Sequence, residues 1–248
     1  MPIPQEKATQ LVGEINSMIQ HGVNEASLRS ISEEADRLEE IDFISAKRVK
    51  GMVASLKFDR ARVKTEFEEA LACGWNPVVY SDYASALANM YDFVPAVEMI
   101  KNSLSISPGD VSLLNTALML HLEAYNIDGS RSVIHELQKL GEMDGDSIVE
   151  YEHQLLAIAA ILDGAGVTWQ AVCERILLAS ESLIPYELAL LRRVPVVDED
   201  GISYYFILNA SVDIASEAAS KMLDAIADVP FSEVDRVISF SCVSAICQ

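Results

Sequence analysis

No apolar run in this chain reaches the roughly 18 residues needed to cross a bilayer. The opening MPIPQEKATQ also lacks the basic-then-apolar pattern of an export signal. Both absences argue against a membrane or secreted protein, so the cytoplasm is the expected compartment. Cysteine is scarce. Cys73, Cys173, Cys242 and Cys247 are too few for a disulfide scaffold and lack zinc-ligand spacing, so reduced thiols are expected. Cys242 and Cys247 sit at odd spacing on a strand pattern, on opposite faces, where they cannot bridge one another. His21, His121, His135 and His153 form no HExxH or other ligand pattern. P-loop, GxSxG, GxGxxG and paired-carboxylate motifs are also missing. No metal or cofactor is therefore expected. Positive charge is in short supply too, with 18 Lys and Arg against 38 Asp and Glu, a net of −20. A general nucleic-acid binder has the opposite balance. Acidity of this size serves solubility first, and beyond that favours a basic partner.

The charge is unevenly spread. Residues 1–76 carry ten basic and thirteen acidic side chains, residues 77–146 three and ten, and residues 147–248 five and fifteen. Half of the 248 residues are hydrophobic, enough to bury a substantial core as one long domain or two smaller ones.

What is present in abundance is helical periodicity. The stretch Pro77–Asp110 reads PVVYSDYASALANMYDFVPAVEMIKNSLSISPGD. Tyr80, Tyr83, Ala84, Leu87 and Tyr91 fall on one face of a first helix, and Ala96, Ile100, Ser103, Leu104 and Ile106 on the matching face of a second. Pro108-Gly109 ends the unit. With Pro77 as position one, small residues stand at positions 8 and 20, spaced over thirty-four residues, and this resembles the tetratricopeptide repeat. Tyr80 replaces the usual tryptophan at position 4, and Ala84 the usual glycine at position 8. The next unit starts in phase at Val111, with Leu114, Ala117, Leu118, His121 and Tyr125, then Ser130, Ile134, Leu137 and Leu140. His121, on this apolar stripe, is read as a core histidine. Upstream, Phe43, Ala46, Val49, Val53 and Leu56 line one helix, and Val63, Phe67, Ala70, Leu71 and Cys73 repeat the second-helix spacing. Residues 8–22 and 25–38 form a further amphipathic pair, with Leu11, Ile15, Met18 and Ile19, then Leu28, Ile31, Ala35 and Leu38, inward.

After the acidic turn 142–147, the apolar LLAIAAIL segment predicts a helix packed on two sides, and Thr168 caps another beginning at Trp169. From about residue 190 the pattern alternates. Val194–Val197 and Ile202–Asn209 predict a hairpin across Asp198-Glu199-Asp200-Gly201, Ser211 caps a helix with Ile214, Ala218, Met222, Leu223 and Ile226 inward, and Val237–Ile246 predicts a last strand. The expected fold is thus mainly α: a helical-hairpin repeat domain over residues 1–189 and a small ββαβ module over 190–248, its strands able to pair with another chain.

Two surfaces are candidates for function. The resemblance implies a groove lined by first helices. Matched position by position, it comprises Val78, Ser81, Ser85, Ala88 and Asn89, then Ser112, Asn115, Met119, Leu122 and Glu123, with Asn89 and Asn115 able to bond a ligand backbone. The lysine–asparagine–arginine set with which some members clamp a terminal carboxylate is missing, so an internal segment or helix of a partner is expected. The second surface is Lys47, Arg48, Lys50, Lys57, Arg60, Arg62 and Lys64, seven cations in eighteen residues with Asp59 the only acid. It is either a docking patch for an acidic segment or a solvated face neutralised by Glu66, Glu68 and Glu69. Asn126-x-Asp128-Gly129 and Asp144-Gly145-Asp146 read as turns, since neither has the later glutamate of a calcium loop.

The expected function is a non-catalytic interaction scaffold, adaptor or chaperone-like protein. The alternative is an acidic inhibitor, antitoxin or nucleic-acid mimic that occludes a basic partner. An enzyme is a third reading, with Asp213, Glu217, Tyr204 and Tyr205 as the residues to inspect where the module meets the helices.

Overall fold

The computed structural model describes residues 4–198 and 201–245. Ten helices come first: α1 (Pro4–His21), α2 (Glu25–Glu39), α3 (Phe43–Leu56), α4 (Arg60–Ala72), α5 (Pro77–Asn89), α6 (Phe93–Ile106), α7 (Val111–Glu123), α8 (Ile127–Lys139), α9 (Gly145–Ala165) and α10 (Trp169–Glu181). Strands β1 (Leu190–Asp198) and β2 (Gly201–Leu208), helix α11 (Val212–Ala227) and strand β3 (Ile238–Ser244) follow. Helix starts are set by short polar side chains that accept the otherwise unpaired N–H groups of the first turn. Asp42, Asp59, Asn76, Asp110, Asn126, Asp144 and Thr168 all do so. The two stretches that resemble calcium loops are accounted for in this way, as Asn126 accepts from the Gly129 N–H and Asp144 from that of Ser147.

Helices α3–α8 form three antiparallel hairpins, each packed on the next, with α2 and α1 against α3. Close approach depends on small residues, as the periodicity requires. Ala84 and Ala96 are both fully buried where α5 meets α6, and Ala117 and Ser130 are fully buried in the next hairpin. In the first hairpin the matching residue is Gly51, 33 residues before Ala84. A Cβ there would lie 2.4 Å from the Phe67 ring, so only glycine lets α3 and α4 come this close.

The hairpin turns contain a feature that helical periodicity conceals. Phe58, Tyr91 and Tyr125 have φ of 51°, 62° and 55°, a left-handed conformation that costs a bulky residue energy. Each ends a first helix and is followed by an Asp or Asn whose N–H reaches back five residues, Asp59 to Ala54, Asp92 to Leu87 and Asn126 to His121. Tyr91 and Tyr125 therefore belong to turns and not to the first-helix face. Aromatic packing holds the first two: Phe58 stacks on Tyr91 at 6.0 Å, and Tyr91 meets Phe93 and Phe206 edge-on.

The C-terminal sheet has order β1-β2-β3. β1 and β2 are antiparallel, while β3 runs parallel to β2 after a crossover through α11. Gly201 admits β3 to its place, because a Cβ there would lie 2.6 Å from the Val237 carbonyl oxygen, to which the Ile202 N–H is bonded. Tyr204, Phe206, Ile238 and Cys242 are buried on the sheet face that meets Tyr91, whereas Ser203 and Ser239 share a hydrogen bond on the other, more exposed face. Cys247 lies outside the described residues; Cys73, Cys173 and Cys242 are free thiols.

Several expected core positions differ. Helix α9 buries Leu155, Ile158 and Leu162 but leaves Val149 and Leu156 more than half exposed, so it packs on one side only. On α11 the buried stripe is Ala215, Ala218 and Met222, and Ile214 and Leu223 face outward, because a three-stranded sheet covers only a narrow line of side chains. Leu140, the residue that caps α8, is exposed, and so is Phe43, whose ring lies beneath the Lys47 ammonium. Among the described residues no single helix is long and apolar enough to cross a membrane.

Candidate functional site

The expected groove residues separate into an open part and a covered part. Val78, Ser112, Asn115 and Met119 are exposed, Met119 by 54%, and Ser81 and Ser85 are half-buried. Toward the turn end of the same helices, Ala88 is buried and Asn89 donates to the hydroxyl of the fully buried Ser55, 34 residues earlier. Leu122 and Glu123 are half-buried. One strip of the first-helix face, over α5 and α7, therefore meets solvent, while Asn89 joins α5 to α3.

The turn ends are where the rest of the chain docks. Arg60 of the first hairpin donates to the Met90 carbonyl and forms a 2.6 Å ion pair with Glu181 at the end of α10. Cys173 of α10 donates its thiol to the Ala124 carbonyl, and burial pushes that thiol far above its usual range. Tyr91 contacts Phe206 of β2.

Five more of the seven clustered cations have carboxylate partners within the chain. Lys47 joins three helices through Glu39 (3.2 Å), Glu66 (2.9 Å) and Glu69 (2.7 Å), and its side chain is only 12% exposed. Burial works against its charge, but Glu69, Glu66 and Glu39 outweigh that and hold its pKa above the ordinary lysine value. Lys50 pairs with Asp36 and Glu39, Arg62 with Glu66 and Lys64 with Glu68. Arg48 meets Asp82 of the next hairpin at 2.7 Å, and burial raises the Asp82 carboxyl against the pull of that guanidinium. Lys57 is exposed and has no ion pair among the described residues.

The residues considered for catalysis are not gathered into one site. Tyr204 is buried on the inner sheet face, and Tyr205, the next residue on the strand, points to the other face. Glu217 is exposed, paired with Lys221 and the Tyr186 hydroxyl, and Asp213 is exposed in the first turn of α11. His121 is 4% exposed; burial, with Lys101 nearby, depresses its pKa to about 4, and its Nδ1 has no hydrogen-bond partner. No group of three potential metal ligands occurs among the described residues.

Sequence periodicity does not reveal two clefts around the α9–α10 turn. One, of about 570 Å³, lies between α10 and the segment after α11 and includes Ala171, Leu178, Val229 and Val234. The other, of about 340 Å³, lies between α8, α9 and α10 and includes Ile127, Ala159 and Trp169. Arg175 lines the first and donates to Asp235 at 2.8 Å, to Ser232 and to the Pro230 carbonyl. No protein-family model matches this chain, and no curated protein or solved structure matches it significantly.

Proposed function

We propose that this chain is a non-catalytic interaction scaffold, similar in plan to tetratricopeptide-repeat adaptors, which holds a helix or extended segment of a partner protein along its first helices. One observation supports this reading above others: the exposed strip of Val78, Ser112, Asn115 and Met119, flanked by Ser81 and Ser85, on a rigid array of hairpins. Apolar Val78 and Met119 offer burial, and the Asn115 amide can bond a partner backbone. The clustered cations fit a supporting role, since four of the seven, Lys47, Arg48, Lys50 and Arg60, join helices. The exposed free thiol of Cys73 fits a reducing compartment such as the cytoplasm.

The test is retention of a partner from the native host by the intact chain and by an S85D/M119D variant. Loss of the partner with unchanged thermal stability supports the strip; full retention overturns it. The net charge of −20 favours a second reading, an acidic protein that occludes a basic partner. A complex of that kind weakens steeply between low and moderate salt, whereas strip binding weakens little.

A further inference from the structure

From a second surface, distinct from the first-helix strip, we infer a docking site for a cationic amphipathic helix of a partner protein. The two clefts share Val167 and Thr168 of the α9–α10 turn, so they form one trough. Its apolar floor continues onto α9. Leu156 lies three and seven residues before Ala159 and Asp163, which puts all three on one helix face, and it is 56% exposed. Such a face on an α9 covered only on its other side is a surface that a second helix can bury.

The charges of the trough select the partner. Its two cations are already neutralised, Arg175 by Asp235 and Arg131 by Glu152 at 3.2 Å. Asp128, Asp163 and Glu174 are exposed along the rim, and none has an ion pair among the described residues. An apolar floor with an unneutralised acidic rim complements a helix with an apolar stripe flanked by Lys or Arg. The same rim repels an anionic bilayer, which favours a protein segment over a lipid surface although α9 and α10 are apolar.

The probe is a synthetic amphipathic peptide of about 18 residues with a leucine stripe and lysine flanks, titrated into the full chain at moderate salt. We expect saturable binding of one peptide per chain, weakened about tenfold or more by D163K/E174K and by L156D. An E33K/E40K variant, with the same change in net charge on exposed residues of α2 and its C-terminal cap, is expected to bind within about twofold of the parent. S85D/M119D is expected to leave peptide binding unchanged, so failure of the strip and failure of the trough are separable. Equal weakening by E33K/E40K and D163K/E174K means diffuse attraction to net charge and overturns the site. So does tighter binding by L156D, as does preference for the equivalent leucine–glutamate peptide or for lipid vesicles.

Discussion

The hairpins α3–α8 and the segment from α9 onward are built on different principles. In the hairpins the crossing residues and turns recur one repeat later, with Gly51 and Ala84, Phe58 and Tyr91, and Asp59 and Asp92 all 33 residues apart, and Tyr91 and Tyr125 34 apart. Charges there are used internally, as in the Lys47 hub and the Arg48–Asp82 bridge. From α9 on, the period is lost, α9 is covered on one side, and Asp163 and Glu174 along the trough have no ion pair among the described residues. The C-terminal part is fitted singly, through Arg60, Cys173, Tyr91 and Arg175. The contrast lies in charge: the stack pairs its cations internally and keeps a largely uncharged strip open, whereas the later segment leaves carboxylates unpaired.

Four substitutions probe that contrast, in descending order of expected effect. K47A removes the link between α2, α3 and α4 and leaves Glu66, whose side chain is 10% exposed, with only Arg62 of its own helix as a partner, and chemical denaturation is expected to record a loss of about 4 kcal/mol. The acid sensitivity of the stack comes next. An unfolded imidazole takes up its proton near pH 6.5, but buried His121 refuses it until about pH 4, so stability falls as pH drops through that window. The full term is about 3 kcal/mol, and H121L is expected to flatten the slope of unfolding free energy against pH over this range. G51A forces a methyl group into the Phe67 ring and is expected to cost about 2 kcal/mol in the same denaturation assay. K64A breaks a 3.8 Å pair with both side chains more than half exposed, and is expected to change stability by about 0.5 kcal/mol or less. A K47A effect no larger than that of K64A would remove the distinction between joined and solvated charges.

The parts legible in the sequence were those governed by period. Ala84, Ala96, Ala117 and Ser130 marked where helices cross, Thr168 and Ser211 marked helix starts, and alternation from Val194 marked the sheet. Left-handed turns were not legible, because Tyr91 and Tyr125 fall where helical periodicity also accommodates them. The aromatic followed by Asp or Asn, three times at repeat spacing, was the available signal. Residues on α11 and α9 were misplaced because an apolar pattern records which side chains can be buried and not how much partner surface exists to bury them. Pairing of the basic cluster depends on Glu39, Asp82 and Glu181, which are distant in sequence or on neighbouring helices. The trough arises where α8, α9, α10 and the segment after α11 converge, and no local pattern records such a meeting.

The central claim, that the first-helix strip holds a partner, is tested most directly by placing a photo-crosslinking amino acid at single positions in the intact chain within its host. The account predicts that Asn115 and Ser85 crosslink to the same protein, while Lys139 and Glu98, exposed on second helices, do not. Crosslinks from the second helices with none from Asn115 or Ser85 would contradict it.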